Sequence, residues 1–275
     1  MITISAPHTP ARMTRGNHFA AFQYPRQAFA NLIDPVLNID WFTMQGPTFP
    51  EHPHAGFSAV TYLFADSANG FRNRDSLGQM HVIRPGGLHW SRASKGMIHE
   101  EVPLDGGPVQ GLQIFINLPA ASQSDEPAAF PVTPDEIRMD IGEGWRRRVA
   151  IDGTSVGGID NALPAPVTIE EVAITAHETY PLSLPAGWGG IIIALGGTVS
   201  LPGERLVTSP QAVGFTAEQS DILPLVAGDD GARLAIVTGR QLHQPVHAYG
   251  PLMLASAEAL SRAQRHVAAL AIPAA

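Results

Sequence analysis

Glu51-His52-Pro53-His54-Ala55-Gly56-Phe57-Ser58-Ala59-Val60-Thr61-Tyr62-Leu63-Phe64 is the stretch that decides the fold. A His-x-His pair stands before a glycine and an apolar, β-rich run. In a strand, side chains at i and i+2 share a face, so His52 and His54 can aim at one point. Farther on, Lys95-Gly96-Met97-Ile98-His99-Glu100-Glu101 repeats the spacing. His99 and Glu101 share a face there, and Glu100 turns to the opposite one. If the two strands are neighbours inside a barrel, the two points coincide in a site of three imidazoles and one carboxylate. Such a set suits Fe(II), Mn, Ni, Cu or Zn, and without a thiolate nothing biases it toward structural zinc. Either pair alone is a weak signal in a chain with 11 His. The punctuation around them adds weight. Arg84-Pro85-Gly86-Gly87 and Lys95-Gly96 read as turns between short strands.

Working outward, the composition favours the same architecture. With 275 residues the chain is long enough for two domains of ordinary size. Gly 27 and Pro 24 are high and charged residues make up 15%, a balance that favours short strands and tight turns over long helices. A hydrophobic fraction of 44% supplies a folded core. The formal net charge of −8 opposes nonspecific binding to a phosphate backbone, so no direct nucleic-acid partner is expected. Arg146-Arg147-Arg148 reads as a solvated strand end. The absence of cysteine excludes disulfides, thiolate metal sites and cysteine nucleophiles. His8, Pro10, Arg12 and Arg15 interrupt any secretory apolar region, and runs such as Ile191–Leu195 are too short to span a bilayer. The expectation is a cytoplasmic protein with no membrane partner.

Along the chain, Ile39–Phe42, Met80–Ile83 and Leu88–Ser91 read as strands, and Asp75-Ser76-Leu77-Gly78 as a hairpin turn. Gly111–Leu118 alternates strictly. Leu112, Ile114 and Ile116 take one face; Gln113, Phe115 and Asn117 take the other. Pro119–Phe130 lacks a period and reads as a linker. A second β-rich block follows from about Arg146 to Arg240, in which Gly189–Gly197 resembles Phe57–Asp66, as in a diverged duplication. That block offers no second His-x-His, and His177 stands alone. The chain closes with a helix. Ser256 is the N-cap, Glu258 lies in the first turn, and Leu260, Ala263, Val267 and Leu270 form an apolar stripe.

The motifs Phe49-Pro-Glu-His-Pro-His-Ala-Gly-Phe57, Arg74-Asp-Ser-Leu-Gly78, Arg84-Pro-Gly-Gly-Leu-His-Trp90, Lys95-Gly-Met-Ile-His-Glu-Glu101 and Gly111-Leu-Gln-Ile-Phe-Ile-Asn-Leu-Pro119 resemble those of the pirin family in the cupin superfamily. Asp34-Pro-Val-Leu-Asn-Ile-Asp-Trp-Phe42 and Gln244-Pro-Val-His-Ala-Tyr-Gly-Pro-Leu-Met253 add to the resemblance. It implies an all-β fold of two tandem antiparallel cupin barrels with a C-terminal helix. Residues 1–130 would form the metal-binding domain; residues 131–275 would form a metal-free cupin-like domain plus the helix. It implies one divalent metal, iron by preference, on His52, His54, His99 and Glu101, with Glu101 also acting as a base. The expected pocket wall is Phe49, Gln113 and Phe115. The implied activity is a metal-dependent oxidation of a flavonol such as quercetin by O₂. The alternative is a metal-bearing regulatory or protein-binding module without turnover. Three positions depart from the family pattern. Ala55 stands where Arg is usual, Arg92-Ala-Ser-Lys95 replaces the usual turn, and His89 stands where Gln is common.

Overall fold

A computed structural model describes residues 1–104 and 107–273. Nearly every regular element is an antiparallel strand, and the one α-helix among the described residues is Ala257–Val267. The strands form two jelly-roll units, each a large sheet facing a smaller one. Among the described residues the sheets end in open edges, at Ala11–Arg15 and Met80–Ile83 for example, so the expected barrels are jelly rolls rather than closed cylinders.

The two units run through one pairing order. The large sheet of the first is Ala128–Val132, Leu88–Arg92, Phe57–Leu63, Val109–Asn117, Val36–Met44, Phe19–Pro25 and Ala11–Arg15. The corresponding path in the second is Ile2–Ile4, Ala212–Ala217, Trp188–Leu201, Asp221–Arg240, Val167–Ile174, Trp145–Gly153 and Arg138–Gly142. The small sheet of the first unit is His52–His54, Met97–Pro103, Phe71–Asp75 and Met80–Ile83. Its counterpart in the second starts with Thr179–Leu184 on the first half of Asp221–Arg240. That half pairs with the end of Trp188–Leu201, which pairs with Arg205–Thr208. Here two long strands bend across both sheets. Gly197 and Gly231 sit at the corner with φ of 67° and 76°, and a Cβ on Gly197 would come 2.1 Å from the Gly231 carbonyl oxygen. Glycine is therefore required there.

The alternation read from sequence explains where the core lies. Leu112, Ile114 and Ile116 leave the first large sheet on its outer face and meet Ile169, Ile191, Ile193 and Val237 of the second. Tyr62, Trp90 and Tyr24 complete this shared core between the units. The opposite faces line the two jelly-roll interiors. In the second unit that interior is aliphatic, with Val172, Leu182, Ile192, Leu223 and Leu225 buried together.

Three segments cross the division at residue 130. Ile2–Ile4 pairs with Ala212–Ala217 of the second unit. The segment read as a linker contains a short 3-10 turn, Ala120–Ser124, and its end becomes Ala128–Val132, an edge strand on Leu88–Arg92. Pro131 is admissible because the strand lies at an edge. Finally, the chain returns to the first unit. Leu252 bridges to Ala55, and the helix packs Ala263 and Val267 beside Leu252, Leu254 and Ala55. Ser256 caps that helix by accepting from the Ala259 N–H at 3.1 Å.

Candidate metal centre

His52–His54 lies antiparallel to Met97–Pro103, with His52 opposite His99 and His54 opposite Met97. His52, His54 and His99 point into the first jelly roll. The three imidazoles offer ligand atoms that all lie within 4.8 Å of one another, the one such group of donors among the described residues. His54 and His99 are nearly sealed from solvent, and their Nε2 atoms are 3.0 Å apart. His52 Nδ1 lies 2.9 Å from the Pro50 carbonyl. As a donor to that oxygen it leaves Nε2 with a free lone pair, the tautomer a metal ligand needs.

The electrostatics favour neutral rings. Burial pushes His54 down to about 3, with His52 beside it adding to the shift. Burial also holds His99 well below the ordinary imidazole range and lowers His52. Three neutral imidazoles packed against one another, with their ligand atoms within 4.8 Å of one another, fit a divalent cation of the first transition row.

Glu101 shares the face of His99 and is buried, but its carboxylate stands outside the histidine trio. Its oxygens lie 2.7 and 2.9 Å from the Thr61 hydroxyl, which also reaches Gln113 Oε1 at 3.0 Å. Burial raises the Glu101 carboxyl to about 7, and the Thr61 hydrogen bond works against that rise. Glu100 faces the other way and pairs with Arg74 at 2.9 Å.

Above the imidazoles is a cavity of ≈ 130 Å³ whose lining includes Phe49, Gln113 and Phe115. The Phe115 ring sits edge-on to His54 with centroids 5.4 Å apart. Phe49 is near the mouth, edge-on to Phe19 at 5.0 Å, with the Arg15 guanidinium 4.6 Å from its centroid. Sequence reading missed Thr61, Asp40, Phe42 and Met44. Asp40, Phe42 and Met44 form one alternating face of Val36–Met44, and Asp40 is directly opposite Gln113. That alternation was the available signal. The Asp40 carboxyl is raised by burial, against hydrogen bonds from Asn38 and Gln23.

The departures from the family pattern also have places. Ala55 is fully buried under the C-terminal segment, where Met253 N–H donates to its carbonyl at 3.0 Å. A long charged side chain has no room there. His89 points into the jelly roll beside Thr61, 1% exposed, with its ring centroid 4.2 Å from that of His81.

The family profile described as Pirin matches residues 11–116. A Pseudomonas aeruginosa protein named as a putative quercetin 2,3-dioxygenase is 30% identical over 251 residues, covering 84% of each chain. The chain belongs to the pirin family. A pirin-like protein of Caulobacter vibrioides is 29% identical over 243 residues, covering 85% of this chain and 86% of the relative. In three dimensions, a quercetin 2,3-dioxygenase from Acinetobacter baumannii superposes with a TM-score of 0.80 over 96% of both chains at 19% identity, which establishes the shared fold. No helix among the described residues is long and apolar enough to cross a membrane.

Proposed function

We propose that the first jelly roll is the centre of a metal-dependent oxygenase acting on a flavonol such as quercetin. One observation carries this reading: a buried, neutral histidine trio opens directly into an aromatic-lined cavity that also holds Glu101. His52, His54 and His99 would hold the metal, with Glu101 as the fourth ligand once its carboxylate turns from Thr61. Fe(II) is the metal proposed, because it would bind O₂ and activate it toward an electron-rich substrate.

The remaining work falls to side chains. Phe115 and Phe49 would bracket a planar ring, one ring entering the cavity while the rest of the substrate extends through the mouth. Burial raises the Glu101 carboxyl in the metal-free protein, and as a carboxylate beside the metal it would be placed to accept the hydroxyl proton lost as the substrate binds. Thr61 holds the carboxylate in the metal-free geometry, and Gln113 would fix a substrate oxygen. The apolar wall of Phe19, Phe42 and Phe71 excludes water.

The name of the Pseudomonas relative supports the substrate class. The test is oxygen-electrode uptake with protein loaded anaerobically with Fe(II) and checked for metal content. Uptake should depend on quercetin and be lost in Glu101→Gln. Full metal occupancy without uptake across several flavonols would overturn the oxygenase reading in favour of a ligand-binding protein.

A further inference from the structure

The second unit has a cavity of ≈ 560 Å³ at the mouth of its jelly roll. Its position follows from the shared pairing order. Phe19–Pro25, Val36–Met44, His52–His54 and Val109–Asn117 line the metal pocket in the first unit. Their counterparts are Trp145–Gly153, Val167–Ile174, Thr179–Leu184 and Asp221–Arg240. Each supplies lining residues to the second cavity: Trp145 and Arg147, Thr168 and Glu170, Tyr180, and Thr238. The second unit therefore keeps a pocket where the first binds its ligands, and it is larger.

Its chemistry differs. Tyr180 stands on the strand corresponding to that of His52 and His54. Its hydroxyl donates to Glu170 at 2.9 Å and accepts from Arg147 at 2.9 Å. Arg147 also donates to the other Glu170 oxygen at 3.0 Å and pairs with Asp140 at 2.9 Å. The charges at this floor are matched within the protein. At the rim, Asp152 is paired with Arg138 at 3.1 Å. No unopposed charge faces the cavity to call for an ion. What remains is two half-buried indoles, Trp145 and Trp188, and the hydroxyls of Thr168, Thr238 and Ser183. Trp145 is held edge-on against Tyr180 at 5.1 Å, and Gly142 leaves room for its ring, since a Cβ there would come 2.2 Å from it.

We infer that this cavity is a binding site for a neutral saccharide. Indole faces match the C–H faces of a pyranose, and small hydroxyl side chains match its hydroxyl groups. The matched charges of Arg147, Glu170 and Tyr180 make a rigid floor and disfavour a charged ligand. This site is independent of the metal and of the proposed oxygenase chemistry.

The test is a titration of the full-length protein with glucose, galactose, mannose and N-acetylglucosamine. Intrinsic tryptophan fluorescence and saturation-transfer-difference NMR are the readouts. At least one sugar should give a saturable response on both. Trp188→Ala should weaken it roughly tenfold, and Thr168→Val roughly fivefold, the scale of one lost contact or hydrogen bond. His54→Ala should leave it unchanged. Thr168→Val keeps the shape of the wall, so it decides the matter if Trp188→Ala fails to fold. No saturable response to any of the four sugars overturns the proposal. So does a response that survives Thr168→Val at full strength, or one that disappears with His54→Ala.

Discussion

The two jelly rolls share a pairing order and differ in what they place inside it. The small sheet of the first carries His52, His54, His99 and Glu101 inward, with Asn73, Asp75 and His89 buried close by. At the corresponding strands the second carries Tyr180, Leu182, Leu184, Leu223 and Leu225, all buried in an aliphatic cluster. One architecture therefore accepts either a polar interior or an apolar one. The mainly apolar version needs only the internal pairing of Glu170 with Arg147 and Tyr180 at its mouth. The polar version costs free energy, because buried polar atoms without partners are each worth on the order of 1–3 kcal/mol. In the first unit Asn73, His89 and His99 all carry such atoms. A cation bound by the three imidazoles would stabilise the folded state by mass action, so metal and stability should be coupled in the first unit and not in the second.

The largest effect should come from removing a ligand. His99→Ala is expected to abolish stoichiometric metal binding, as read by elemental analysis. Circular dichroism should show the β-content intact, because the shared core between the units does not include His99. Full metal content in that variant would break the contrast between the units.

Acid should separate them next. In the metal-free protein His54 titrates at about 3, below its ordinary value of 6.5. Between those values the unfolded chain binds more protons than the folded one. The contribution of His54 is therefore present above pH 6.5 and is lost as pH falls toward 3, on the order of 5 kcal/mol at most. His99 and His52 act with the same sign. Glu101 has the opposite sign, since its folded value of about 7 lies above the ordinary 4.5. Its contribution is full below pH 4.5 and is lost as pH rises through 7. Three imidazoles outweigh one carboxyl, so the urea midpoint of the metal-free protein should fall between pH 7 and pH 4. Hydrogen exchange resolved by segment would assign the loss to the Met97–Pro103 region. Equal loss in the aliphatic second interior would contradict this account.

A smaller effect concerns the pocket wall. Phe115→Ala should retain the metal and weaken quercetin binding by roughly tenfold, the scale of one aromatic contact, as measured by calorimetry. The smallest effect belongs to Glu100→Gln. Its partner Arg74 is partly exposed, so the change should keep the metal and shift stability by less than about 1 kcal/mol. Metal loss in Glu100→Gln would exchange the roles of the two carboxylates.

Much of this contrast was written locally in the chain. The i, i+2 spacing of His52 with His54 and of His99 with Glu101 needs only strand geometry to be read. Gly111–Leu118 showed its two faces by alternation, and one of them now lines the shared core. Ser256 announced the helix through its capping chemistry. What could not be read were pairings between distant segments. Nothing in Ile2-Thr3-Ile4 specifies Ala212–Ala217, more than 200 residues away, as its partner. Ala128-Ala129-Phe130, the start of the strand Ala128–Val132, reads as the end of a linker because Pro119–Phe130 has no strand period, yet an edge position tolerates such a sequence. Thr61 was hidden for a different reason. A threonine in an apolar strand is ordinary, and it gains a role only when Glu101 is folded against it.

The crossing of the chain ends has a mechanical consequence. The first strand lies in the sheet of the second unit, while the final helix rests on the first unit beside the strand that carries His52 and His54. The molecule is laced rather than strung. Cutting it at residue 130 would yield a half carrying the histidine trio but stripped of its cover over Ala55, and a partner half with Ala212–Ala217 exposed as a new sheet edge. Neither half is a separable module, and a pull applied between the termini would load both units at once.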